Sequence, residues 1–313
     1  MPRSRSLPQL RDQLFLTDGG LETYLIHQQG VSLPDFASFH LLGTAEGETL
    51  VRDYLRPYAG IARRHGTGLV LNTLTWRASA DWGALHGLSQ DDLGRINRRA
   101  VALLEDLRAE FAPVPLVISG CLGPRGDGYV AGTEMTVRGA EAYHQPQVDA
   151  LADAGADMLT AMTINYVEEA VGITHAARLA AMPIAVSFTV ETNGRLPTGQ
   201  SLGSAIRIVD AATSGYPSYY MVNCAHPSHF AHLLDPEESW VRRIRGIRAN
   251  ASSLSHAELN EATELYTGDP ATLAASYADL RARLPQLTVL GGCCGTDHRH
   301  VEAIAAACVT VAA

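Results

Sequence analysis

Short apolar, β-rich runs alternate along the chain with longer stretches in which apolar residues recur every three or four positions. The first pattern predicts buried strands and the second amphipathic helices. The strand-like runs fall at 14–17, 68–74, 116–120, 157–162, 184–190, 219–223, 245–250 and 287–291. Turn residues precede most of them, as in His65-Gly66, Ala154-Gly155, Met182-Pro183 and Leu284-Pro285. Helical periodicity covers 49–64, 90–111, 137–152, 167–180 and 271–283, among other segments.

Eight strand–helix units in one alternation, with no low-complexity linker between them, predict a closed parallel (β/α)8 TIM barrel forming a single domain over 1–313. The open doubly wound sheet is the alternative, and the lack of any G-x-G-x-x-G after a strand counts against it. In a barrel the chemistry sits where strands end. Those ends include Asp18-Gly19-Gly20, Thr73-Leu74-Thr75-Trp76, Gly120-Cys121-Leu122-Gly123-Pro124 and Met162-Thr163-Ile164-Asn165. Thr189-Val190-Glu191, Asn223-Cys224-Ala225-His226 and Gly291-Gly292-Cys293-Cys294-Gly295-Thr296 follow.

Composition narrows the chemistry. A hydrophobic content of 46% over 313 residues supports a large core and excludes disorder. The formal net charge of -9 has the wrong sign for a protein that neutralises phosphates, so nucleic acid is not expected as a partner. All 24 basic residues are arginine, which excludes mechanisms that need a lysine amine. Segment 1–12 has no apolar stretch after its arginines and reads as no signal peptide, and no run reaches the roughly 18 apolar residues of a membrane span. Five cysteines are too few for a disulfide scaffold, so reduced thiols in a cytoplasmic protein are the simpler expectation.

Three of those cysteines end strands six and eight. A barrel brings Cys224, Cys293 and Cys294 to one rim, where three thiolates suit a borderline-soft ion such as Zn²⁺ and leave a fourth tetrahedral position for a substrate. The other readings are small buried apolar residues, which suits Cys121 and Cys308, and a redox pair, which the strain of a ring between adjacent cysteines disfavours. His298 and His300, two apart at the start of the last helix, share no helical face, His226 and His229 lie in a loop rich in proline and serine, and most of these histidines read as surface residues. The first strand lacks the paired histidines of a metal-dependent hydrolase.

These residues resemble the homocysteine S-methyltransferase family, which includes betaine and S-methylmethionine enzymes. Gly291-Gly292-Cys293-Cys294-Gly295-Thr296 with Asn223-Cys224 is similar to the family's zinc signature, and Asp18-Gly19-Gly20-Leu21 and Ser187-Phe188-Thr189-Val190 add support. The resemblance implies Zn²⁺ on Cys224, Cys293 and Cys294, with no catalytic residue required beyond that site. It implies a small-molecule thiol acceptor, homocysteine in the family, and a sulfonium or ammonium methyl donor. Asp18, Gly19, Trp76, Met162 and Asn223 are then the expected substrate contacts, and self-association is left open.

Two departures from the family pattern bear on the substrates. The family's E-T-I-P-N stands here as Met162-Thr163-Ile164-Asn165-Tyr166, so a thioether replaces one of two carboxylates that hold the acceptor's ammonium. Either Asp18 suffices, another acid such as Glu191 substitutes, or the acceptor is a thiol without that amino group. The family's tryptophan after the first strand falls at Ala37, beside Phe36. Trp76 could instead offer its aromatic face to an onium methyl group, or serve only as a packing residue.

Overall fold

A computed structural model describes residues 7–309 apart from Asp12 and Thr263. Positions 1–6, part of the segment read for a targeting signal, lie outside it. Eight parallel strands close into a barrel in sequence order. They are Phe15–Leu16 (β1), Gly68–Asn72 (β2), Leu116–Leu122 (β3), Met158–Ile164 (β4), Ile184–Phe188 (β5), Tyr219–Asn223 (β6), Ile244–Ala249 (β7) and Val289–Gly292 (β8). β1 pairs with both β2 and β8, which closes the ring and excludes the open sheet.

The connections carry helices Leu21–Gln29 (α1), Ala45–His65 (α2), Ala80–Leu85 (α3), Gln90–Phe111 (α4), Val137–Asp153 (α5) and Val167–Leu179 (α6). Leu202–Thr213 (α7), Pro227–Phe230 (α8), His256–Glu261 (α9), Pro270–Arg283 (α10) and His298–Cys308 (α11) follow. Their starts follow from side-chain caps: Thr44, Thr136 and Ser201 accept from the first turns of α2, α5 and α7, and Ser89 with Asp92 makes a capping box on α4. No helix among the described residues is long and apolar enough to cross a membrane.

Strand alternation sets the barrel's contents. One end is filled by Phe15, Val70, Val117, Met158, Ala185, Tyr219, Met221 and Val289, an apolar plug. One pleat further along, the buried interior becomes polar: Ser119 Oγ lies 2.7 Å from Thr160 Oγ1, and Ser187 Oγ donates to Asn223 Oδ1 at 2.6 Å. These groups satisfy one another, as buried polar atoms must. The interior is therefore a closed floor below the C-terminal ends of the strands.

β1 is shorter than the run at 14–17, and β4 continues past the predicted end at 162. The extension is irregular. Pairing with β5 shifts between Ala161 and Ile164, and Thr163 has a φ of 61°, a conformation that costs a β-branched residue. Asn223 stabilises it, accepting from Thr163 N at 3.0 Å and donating to Thr163 Oγ1 at 2.8 Å.

β7 and β8 are locked from outside by Tyr277 of α10. Its buried hydroxyl accepts from Ala249 N at 2.8 Å and donates to Gly291 O at 2.5 Å. Tyr277→Phe keeps the packing and leaves both backbone groups without that partner, which is expected to cost about 1–3 kcal/mol in denaturant unfolding. An unchanged unfolding free energy would show that the two strand ends are held by other contacts.

Candidate active site and metal centre

Register brings the thiols together. Asn223 pairs with Arg248, and Arg248 with Gly291, so β7 lies between the strands that lead into Cys224 and Cys293. Sixty-nine positions apart in sequence, those two cysteines have Cα atoms 5.5 Å apart. The Sγ atoms of Cys224, Cys293 and Cys294 all lie within 4.8 Å of one another. The three cysteines line one cavity of about 400 Å³ at the barrel's C-terminal rim.

The Sγ atoms of Cys224 and Cys293 are in direct contact. The contact is between the ends of two strands rather than within the adjacent pair Cys293-Cys294. Cys294, Cys121 and Cys308 are free. Burial pushes the Cys121 thiol up to about 12 and that of Cys308 up to about 11; Cys308 packs in the core, while Cys121 also lines the cavity.

The backbone around the thiols is tightly specified. Cys224 has a φ of 54°, and its carbonyl accepts from Asn250 Nδ2 at 3.1 Å and lies 2.6 Å from His256 Nε2. The loop after β8 packs against the loop after β1: Gly292 N donates to Asp18 O, Gly20 N to Thr296 O, and Gly295 N to Thr23 Oγ1. Gly20 is required by this contact, since a Cβ there would stand 2.5 Å from the Cys293 carbonyl oxygen.

The donor set fits a tetrahedral ion in the reduced state. Zn–S bonds of about 2.3 Å place ligand sulfurs roughly 3.8 Å apart, within the spread seen here, and three soft sulfurs leave the fourth direction open. Tyr129 stands over this group, its hydroxyl 3.7 Å from Cys294 Sγ and its ring stacked on His256 with centroids 4.1 Å apart. Burial raises the Cys294 pKa, and the contact with Tyr129 opposes it.

Of the expected substrate contacts, Asp18, Gly19, Trp76 and Met162 line the cavity, whereas Asn223 does not. Asn223 is fully buried, with its amide engaged by Thr163 and Ser187, and it supports the wall from behind. Asp18 is half of an ion pair: Arg248 Nη2 donates to its Oδ1 at 2.7 Å, and Tyr54 Oη to its Oδ2 at 3.4 Å. Burial raises the Asp18 carboxyl, while Arg248 pulls it down. Arg248 also donates to the Gly292 and Gly19 carbonyls, so one side chain ties three strand ends together.

Glu191 does not reach the cavity. It sits behind His256, its Oε1 3.2 Å from the ring's Nδ1. Trp76 has one face covered by the Arg77 guanidinium, 3.9 Å from its ring centre, and its Nε1 donates to the Met162 carbonyl at 3.2 Å. Ala37 is fully buried, but its neighbour Phe36 lines the cavity and is 46% exposed, so an aromatic does stand at that end of the site.

Glu22, Arg248, Tyr129 and His256 are cavity residues that the sequence reading passed over. Glu22 had a signal, an acid one turn beyond the Asp18-Gly19-Gly20 loop. Arg248 had one too, a charge inside an apolar β run. Of the four histidines, most of which are expected at the surface, His298 is exposed and His226 partly so; His229 and His300 are buried. His300 instead caps α11 beside Asp297 and bonds the Thr267 carbonyl at 2.7 Å.

Comparison with known proteins matches this geometry to a family. The sequence profile named Homocysteine S-methyltransferase matches residues 15–308. The Homocysteine S-methyltransferase of Escherichia coli (strain K12) is 26% identical, with 98% of this chain and 99% of that protein aligned. Homocysteine S-methyltransferase YbgG of Bacillus subtilis (strain 168) is 25% identical over 75% of this chain and 77% of its own. The Escherichia coli homocysteine methyltransferase MmuM, solved in an oxidized form, superposes with a TM-score of 0.77 at 23% identity, covering 96% of this chain and 98% of that one. Its metallated form gives 0.73 at 22% identity over 94% and 96%. At that identity the likeness shows the shared barrel. The profile, spanning nearly the whole sequence, shows more: this chain belongs to the homocysteine S-methyltransferase family and is a methyltransferase.

Proposed function

We propose that the chain, acting as one catalytic domain, transfers a methyl group from a sulfonium or ammonium donor to a thiol acceptor, homocysteine giving methionine, at a zinc site made by Cys224, Cys293 and Cys294. The observation that carries this reading is the convergence of three Sγ atoms within 4.8 Å on the wall of the rim cavity. Zinc held there would supply a Lewis acid that keeps an acceptor thiol deprotonated near neutral pH. The three cysteines would serve as thiolate ligands, so the site needs them reduced.

The chain's own residues supply position. A lone pair on the acceptor sulfur forms the new S–CH₃ bond as the donor's C–S or C–N bond breaks, and the electron pair leaves on the donor heteroatom. The donor starts as a cation and departs neutral, so no side chain has to protonate it. What is needed is a fixed line of approach. Asp18, held by Arg248, and Met162, backed by the Trp76 hydrogen bond to its carbonyl, shape one wall, while Phe36 offers an aromatic face to an onium group.

Under reducing conditions the protein is expected to hold about one zinc per chain. Alanine at Cys224, Cys293 or Cys294 should remove most of it, and alanine at Cys121 or Cys308 should not. Full zinc by metal analysis in a Cys293→Ala, Cys294→Ala double variant would remove the site.

The activity test incubates reduced, zinc-loaded protein with homocysteine and either S-methylmethionine or glycine betaine. Mass detection should find methionine with one donor and none with the Cys224→Ala variant. Absence of methyl transfer to homocysteine, with transfer to another thiol in the same panel, would replace the acceptor and keep the chemistry. No transfer to any thiol would overturn the reading.

A further inference from the structure

Resting on the methyl-transfer reading above, we infer that Glu22 is the residue that selects an acceptor bearing an amino group, its carboxylate taking the ammonium in place of an acid on β4. The position where β4 would present that acid is Met162, which lines the cavity with an uncharged thioether. Asp18 is already neutralised by Arg248 at 2.7 Å, in a pair that is buried on both sides. Glu191 faces His256 and does not line the cavity.

Glu22 differs from all three, and from the cavity's remaining acids, the exposed Asp127, whose Oδ1 accepts from Tyr129 N and Val130 N, and the exposed Glu264. It projects from the first turn of α1 into the same cavity as the three cysteines. Among the described residues its carboxylate takes part in no ion pair, and its Oε1 accepts one hydrogen bond, from Ser38 Oγ at 2.8 Å. Burial raises its pKa, the Ser38 bond lowers it, and the nearby Asp18 charge raises it further. The cavity's two arginines are engaged elsewhere: Arg248 on Asp18, and Arg77 between the Trp76 and Trp82 rings with Nη1 on the Gly126 carbonyl.

A partly buried carboxylate without a cation is costly to keep, and a cationic ligand group removes that cost. Glu22 therefore supplies the charge that Asp18 and Met162 do not. An α-amino thiol brings the matching ammonium; its analogue without the amino group leaves Glu22 desolvated and unpaired, which is where discrimination arises.

The test is calorimetric titration of reduced, zinc-loaded protein with homocysteine and with 4-mercaptobutyrate, which is homocysteine lacking the amino group. Wild type should bind homocysteine the more tightly. Glu22→Gln should weaken homocysteine by about 10- to 100-fold, the range of one charge-assisted hydrogen bond, without weakening 4-mercaptobutyrate or lowering zinc content. Glu22→Asp, with the charge kept on a shorter arm, should retain part of the preference. In turnover the same variants should raise KM for homocysteine with kcat little changed. Equal loss on both thiols in Glu22→Gln, an unchanged preference, or a wild type that does not distinguish them would overturn the inference. Failure of zinc-loaded wild type to bind either thiol would instead bring down the methyl-acceptor reading on which it rests.

Discussion

One row of strand pairing, Asn223 to Arg248 to Gly291, is the constraint on which the site depends. It fixes where β6 and β8 end on either side of β7, and so turns a separation of 69 residues into a Cα distance of 5.5 Å. A shift of one residue in either strand would send the following thiol toward the helices instead of the cavity. Tyr277 from outside, and Arg248 from within, bind the two strands at that level. The barrel thus does for the cysteines what no local motif can do.

The second organising feature is the contact between the loops after β1 and β8. Gly292 donates to the Asp18 carbonyl and Gly20 approaches Cys293 so closely that no side chain fits between them. Arg248 adds a buried ion pair to Asp18 across the same seam. This makes Asp18 a structural partner of the thiol loop as well as a cavity residue. It also leaves the cavity with a charge distribution unlike the two-carboxylate arrangement that the family resemblance implied: a neutralised pair, a thioether at Met162, and Glu22, a partly buried acid with no ion pair among the described residues.

The strands, their order and the three converging thiols were legible because each has a local signature. Apolar runs with preceding turns mark the strands, and Cys293-Cys294 between glycines marks a loop with chemistry. Pairings between distant residues were not legible. Nothing near Arg248 announces that its partner lies 230 positions away. A charged residue in a β run ordinarily signals a solvent face, and only the polar interior above the apolar plug makes it a core residue here. The family resemblance implied Asn223 as a substrate contact. Folding turns its amide inward to hold Thr163 in a left-handed conformation, which periodicity does not encode.

The central claim is that these three sulfurs hold one zinc ion whose remaining position receives the acceptor thiol directly. X-ray absorption at the zinc edge, on reduced and loaded protein before and after homocysteine is added, reads that shell without any assumption about the donor. The account predicts three sulfur ligands at about 2.3 Å and one lighter atom, changing to four sulfurs when the thiol binds. A shell that starts with fewer than three sulfurs, or that stays unchanged when homocysteine is bound, would contradict it.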